Sequence, residues 1–373
     1  MQVEIKNLTV KSGQRVILEE NEFHIYTDIV VEEGGELVIK NATLKFFPDA
    51  GIVVTNGTFV VENSRFLPRK KLGWKHVVLT GNLSGYIKDS FFKNPNGGNL
   101  GSEISTVTGL SLNEEKTYGG VLIIHNQGNE SFVVENCTFE RCSADFGGAI
   151  YATENITIKN CTFKDCSANW GGGVYVIEGN LIENSTFENC SASSEGGGIY
   201  AIENNLIKNS VFKNCTASYG GGIYAFKNNL IENSTFENCS ASYGGGVYVD
   251  KNNLIEHSIF RNCSALKNGG CIYAFDNNQI ENSIFENCSA EEYGGGIFAE
   301  SNNTIRLNEF YDCKSYGIVV AGAKYTTAYD GYSILGAKNI VFKNYLKNCD
   351  VYPLNDNIIA SILVERDEEK EQT

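Results

Sequence analysis

Short apolar alternations recur at one interval from Phe132 to Val320. In 181–192, the residues Ile182, Asn184, Phe187, Cys190 and Ala192 read as one side of the chain. Glu183, Ser185, Glu188 and Ser191 read as the other, the two-residue period of half-buried strands. A glycine corner, Gly196 to Gly198, then leads into a short strand, Ile199-Tyr200-Ala201, and Asn204-Asn205 turns the chain again. Each unit thus predicts three strands and three corners. Leucine appears too seldom for a leucine-rich repeat, and no apolar stripe at 3.6 spacing suggests helices. The pattern predicts an all-β, single-stranded, right-handed parallel β-helix of about a dozen turns ~4.8 Å apart.

The interval is fixed by columns. Cys142, Cys166, Cys190, Cys215, Cys239, Cys263, Cys288 and Cys313 follow one another at 24 or 25 residues, and Cys349 extends the series. Tyr151, Tyr175, Tyr200, Tyr224, Tyr248, Tyr273 and Phe298 keep the same pace. Units of this kind cannot bury their apolar face alone and stack on their neighbours. Charge supplies an independent sign: Lys40, Glu62, Lys88, Glu135, Lys159, Glu183, Lys208 and Glu232 alternate without exception. So do Lys93, Glu140, Lys164, Glu188, Lys213, Glu237, Arg261 and Glu286. Residues so far apart have reason to alternate only as neighbours on adjacent strands. One column breaks at Glu232, Glu256 and Glu281, beside His257, where Arg261 is the expected local repair.

The organisation read from these signals is a cap over 1–30, a β-helix over 31–350, and a last strand with a charged, disordered tail over 351–373. Within the helix, turns are irregular to 118 and regular over 119–320, with an insertion at 321–336. A further excursion, Asn96 to Tyr118, enlarges one corner. The preceding turn carries a basic, aromatic corner: Arg69, Lys70, Lys71, Trp74 and Lys75, followed by His76. Corner insertions on one solenoid face are common binding sites, so these residues are ligand-binding candidates.

Phe139 to Tyr151, FERCSADFGGAIY, resembles the repeats of chlamydial polymorphic outer membrane proteins, marked by Phe-x-x-Asn and Gly-Gly-Ala-Ile. Similar repeats occur in adhesin-like proteins of methanogenic archaea. The resemblance covers roughly 119–320 and implies a β-helix used for surface display and adhesion, without catalysis. Cys stands here where that family has Asn, and no membrane barrel follows. A resemblance to pectate lyases and polygalacturonases is of fold only, and implies the rival reading, a carbohydrate-active lyase or hydrolase.

The net charge of −15 disfavours nucleic acid and anionic lipid as partners. No apolar run is long enough to span a membrane. Met1 leads directly into Gln2-Val3-Glu4, without a basic and apolar leader. The adhesin reading places the protein outside the cell or on its surface; the alternative is cytoplasmic. The regular Cys column reads as reduced, buried filler. Cys137 and Cys161 form a separate two-turn column and are the expected disulfide pair, whereas Cys271 strays into a glycine slot. No Cys-x-x-Cys spacing appears, and no metal or cofactor is expected.

Asn136, Asn160, Asn184, Asn209, Asn233 and Asn282, with Asn41 and Asn63, read as an inward amide ladder rather than as glycosylation sites. The Tyr column falls between inward positions and should face outward. Tyr175, Tyr200, Tyr224, Tyr248 and Tyr273 are therefore further candidates for glycan or protein binding, with a self-stabilising ring ladder as the plainer alternative. Hydrolysis needs two carboxylates facing one cleft. None stands out, and no residue is assigned as catalytic. The best remaining enzymatic corner is Arg69–His76 with His24 or His125.

Overall fold

The computed structural model describes residues 2–70, 73–94, 116–314, 318–320, 339–349, 351–353, 358–360 and 362–365. The insertion at 321–336, most of the Asn96–Tyr118 excursion, Lys71 and the tail beyond 365 lie outside them. The chain forms two compact units, Met1–Leu206 and Ile207–Thr373. Both are parallel β-solenoids built from the same turn, together about a dozen turns, with no helix among the described residues.

In the first unit Phe139, Phe163 and Phe187 are paired in register on one face, and Tyr151, Tyr175 and Tyr200 on the second. Ile158 and Ile182 are paired on the third. The second unit repeats this with Phe212 to Phe310, with Tyr224, Tyr248, Tyr273 and Phe298, and with Ile231 to Ile305. The first thirty residues already make a turn of this kind, Gln2–Ile5 pairing with Glu22–Ile25 and Arg15–Glu19 with Glu36–Lys40.

The Phe rings stack inside the first unit, at 5.0 Å for Phe139–Phe163 and 4.6 Å for Phe163–Phe187. In the second, Phe236 and Phe260 stand 4.7 Å apart. Burying one such ring contributes about 1.5–3 kcal/mol. Outside, the alternating charges meet: Lys40 with Glu62 at 3.0 Å, Lys88 and Lys159 with Glu135 at 3.1 and 3.2 Å. The break in that column is repaired by Arg306, which contacts Glu281. The expected partner, Arg261, instead bonds Glu286 at 2.6 Å in its own column.

Asparagine corners overturn part of the inward assignment. Asn184, Asn189 and Asn204 have φ of 51°, 54° and 55°. Their short amides suit this left-handed region, which β-branched residues avoid. Such a corner resets the two-residue alternation. Asn184 therefore points outward, and Ser185, expected outside, is buried. Asn136, Asn160, Asn209, Asn233 and Asn282 sit in the same exposed, positive-φ place. The buried amide ladder lies at the neighbouring corner. In the first unit Asn180 donates to Asn205 Oδ1 at 3.0 Å, and in the second Asn253 donates to Asn278 Oδ1 at 3.1 Å. Gly196 closes the fourth bend at φ 66°, where a Cβ would lie 2.1 Å from the Ile199 carbonyl.

The disulfide expectation is also corrected. Cys137 and Cys161 are unbridged and behave as the serines of their column do, donating to the carbonyl two residues back. The bridge joins Cys271 to Cys288. A Cβ at the equivalent Gly246 would meet the Phe260 ring one turn on, at 2.8 Å. The Cys271 side chain takes that direction and meets Cys288, which belongs to the inward Cys column.

Candidate functional site

The Tyr column does face outward, yet its rings are partly covered. Tyr224–Tyr248 and Tyr248–Tyr273 stack at 5.0 and 4.9 Å with planes within 6° of parallel. Ring faces therefore lie against one another and only edges and hydroxyls point out. A second ladder leans on them edge-on: Phe146 on Tyr175, Tyr219 on Tyr248, Tyr243 on Tyr273. Burial pushes the Tyr175 hydroxyl up to about 12 and raises Tyr151 and Tyr248 as well. The Tyr face is thus a row of protonated hydroxyls, not a row of open platforms. Tyr200 continues the stack of the first unit, 4.8 Å from Tyr175.

Two residues beyond each Tyr, a second outward position separates the units. In the first it holds Thr153, Ile177 and Ile202, with His125 Nδ1 2.8 Å from Thr153 Oγ1. In the second it holds Phe226, Asp250, Phe275 and Glu300. Asp250 lies between the paired Val249 and Lys251, Phe275 between Ala274 and Asp276, and Glu300 between Ala299 and Ser301. Asp250 and Glu300 therefore flank the half-exposed Phe275 ring, two turns apart. Tyr273 donates its hydroxyl to Glu300. Burial, reinforced by the charge of Asp250, raises the Glu300 carboxyl to about 7. Burial also raises Asp250, against the pull of Lys251. Carboxyls displaced in this way, beside aromatic rings, mark candidate proton-transfer groups.

Sequence reasoning missed both. Their only signal is that an acid twice interrupts a column that holds Ile or Phe at 177, 202, 226 and 275.

The basic corner is not assembled as expected. Trp74 is 1% exposed, stacks on Phe46 at 4.3 Å and donates its indole N–H to the Lys93 carbonyl. His76 is buried too, its Nδ1 3.1 Å from the Gly119 carbonyl. Both turn inward because the corner folds over the core, so neither presents itself to a ligand. Lys75 pairs with Asp28 at 2.9 Å. Arg69 lies 4.2 Å over Phe47 and donates to Tyr26 Oη. Lys70 is exposed.

Among the described residues no helix is long and apolar enough to cross a membrane. No curated protein matches the sequence. Among solved structures, a PL6 family alginate lyase, AlyGC, matches with a TM-score of 0.52 at 13% identity, covering 97% of this chain and 53% of that one. The chain thus spans about half the length of that lyase. The periplasmic alginate epimerase AlgG matches at 0.49 and 12% identity, with 91% and 76% covered. A PL6 alginate lyase in complex with a trisaccharide matches at 0.48 and 12%, with 97% and 85% covered. The family described as right-handed β-helix region matches residues 6–207, 149–297 and 199–350. With parallel pairing between the strands of successive turns, and a family match over most of its length, this chain belongs to the right-handed β-helix family.

Proposed function

We propose that this β-helix acts on a polysaccharide held along the Tyr face of its second unit, with Glu300 as the proton donor and Asp250 as the partner carboxylate. The observation that carries this is the Asp250–Phe275–Glu300 column beside Tyr248 and Tyr273. Turns repeat every ~4.8 Å, close to the length of one sugar unit, so a glycan laid along the columns meets like groups at successive sugars. Two turns place the carboxylates about 9.6 Å apart at the backbone. That is near the separation of about 6.5–9.5 Å between carboxyl groups that leaves room for an attacking water. Phe275 supplies an apolar floor between them. Glu300 would protonate the leaving oxygen, while Asp250 takes the proton of the water that attacks the anomeric carbon.

The same fold serves an alginate lyase, which fits a carbohydrate-acting role. The net charge of −15 and two carboxylates on the face argue for a neutral glycan rather than a polyanion such as alginate. The Cys271–Cys288 bridge suits an oxidising location, extracellular or periplasmic. The test is release of reducing ends from a panel of neutral and uronate-containing polysaccharides. Turnover on a neutral member, abolished by both Glu300→Gln and Asp250→Asn, is expected. Turnover unaffected by both variants would end this assignment.

A second reading, an adhesin-like display module, is favoured by the self-stacked Tyr rings, which look built for rigidity. It predicts retention of the chain in a polysaccharide gel without any turnover.

A further inference from the structure

In the first unit, the left-handed bend between the Ile-bearing and Phe-bearing strands is also the wall of a groove. Asn41, Asn63, Asp89 and Asn136 hold that bend on four successive turns, all exposed, with φ of 49°, 43°, 52° and 53°. Together with Arg65 and Phe91 they line a depression of about 580 Å³. Thr43, Thr138, Thr162 and Thr186 fill the position that Arg65 and Phe91 take here.

Below the groove the bend is fixed. Ser64 Oγ donates to the Glu62 carbonyl at 2.7 Å and accepts the Ala42 amide at 3.2 Å, and Ser90 Oγ accepts the Ser64 amide at 3.1 Å. Side chains along it are ordered as well. Asn63 donates to Asn41 Oδ1 at 2.9 Å, Asn136 donates to Asp89 Oδ1 at 3.0 Å, and the Arg65 guanidinium lies 4.7 Å from the Phe91 ring centre. Neighbouring charges cancel in pairs: Lys40 with Glu62, Lys88 with Glu135, Lys93 with Glu140. Arg65 and Asp89 share the groove with opposite signs, yet among the described residues neither makes an ion pair.

The pair leaves the groove with no net charge, so it favours neither cation nor anion. What it offers is hydrogen bonding: the Arg65 N–H groups, the second Asp89 oxygen, Asn63 Oδ1 and the Asn41 amide hydrogens. Planar groups of this kind make two parallel bonds at once, which suits adjacent hydroxyls. Three turn spacings of ~4.8 Å give a length of about 14 Å, room for about three sugars.

We propose that this groove is a non-catalytic binding site for a neutral glycan segment, whose vicinal hydroxyls donate to Asp89 and accept from Arg65. The bend joins the Ile and Phe strands and leaves the Tyr strand free. This site does not rest on the Glu300 assignment.

The test is isothermal titration of the full chain carrying Phe275→Ala, which removes the aromatic floor of the other face, with neutral tri- to hexasaccharides and with oligouronates. A neutral member should bind, and Arg65→Ala and Asp89→Asn, added singly, should each weaken it about tenfold. Asn suits the left-handed bend, so Asp89→Asn keeps the fold, as circular dichroism should show. Lys70→Ala, an exposed cation outside the groove, should leave affinity unchanged. Binding of no neutral member, binding of oligouronates alone, unchanged affinity in either groove variant, or an equal loss in Lys70→Ala would overturn the proposal. Loss of turnover in Glu300→Gln bears on none of these readings, so the two sites stand or fall separately.

Discussion

The Tyr faces of the two units share a backbone and differ in chemistry. In the first unit, Val78, Tyr118, Ile123 and Tyr151 form a buried cluster roofed by Phe146, and Phe146 is itself stacked on Trp170 at 4.6 Å. His125 there is buried, with its pKa lowered by desolvation, and Glu195, beside Trp170 in that roof, is raised by burial. In the second unit the roof thins. Tyr273 and Phe298 are buried under Tyr243, but Asn268 stands where a covering ring would be, Tyr293 is 37% exposed, and two acids join the face. Repetition fixes where side chains go. It leaves open what they do, and a few substitutions on a finished scaffold suffice to turn one face toward chemistry.

Several changes would break or sharpen this contrast. The largest concerns the bridge, which only the second unit has. Cys271→Ser should destabilise that unit by about 3 kcal/mol, the value for closing a loop of such length. Chemical denaturation followed by hydrogen exchange should show protection in the first unit unchanged.

Glu300 and His125 should also respond oppositely to pH. Glu300, raised to about 7, stays protonated when folded while its unfolded counterpart ionises. The second unit should therefore lose about 2 kcal/mol as pH rises from about 4.5 to 7. His125 is lowered, so the unfolded chain takes up a proton first, and the first unit should lose stability as pH falls below about 6.5. Exchange profiles at pH 5 and 8 read both, and Glu300→Gln should flatten only the second.

Removing the roof of the first unit by Trp170→Ala should cost about 1–2 kcal/mol, less than a fully buried ring. Tyr175 should then show increased solvent quenching of its fluorescence. The smallest effect on stability, under about 0.5 kcal/mol, is expected from Phe275→Ala, whose ring is 39% exposed. Gel retardation by a bound neutral polysaccharide should nevertheless weaken about tenfold, corresponding to about 1.4 kcal/mol. A ring change without effect on retention would leave the two faces functionally alike.

Much of this was legible in the residues. The 24–25 interval, the Tyr column and the alternating charges all place neighbours that the strands do pair. What escaped was set by direction, not register. Asn184 and Ser185 exchanged sides because a left-handed corner breaks the strand period. Cys271 found Cys288 because a glycine slot points into the next turn. Trp74 looked like a surface anchor beside one arginine and three lysines, but its corner folds over Phe46. Asp250 and Glu300 were unremarked because acids abound along the chain, and the burial that raises these two does not show in residue type alone.

The corner asparagines carry one more consequence. Where a left-handed Asn precedes a small inward donor and an outward Thr, as at Asn184-Ser185-Thr186, the fold writes an acceptor sequon without any sugar being intended. Such triplets count bends, and a bend count is a length gauge. Because each turn bonds mainly to its two neighbours through interchangeable residues, unequal recombination between near-identical copies would add or delete whole turns while leaving every remaining bond intact. Reach would then be a heritable dial, adjustable in steps of a single strand spacing.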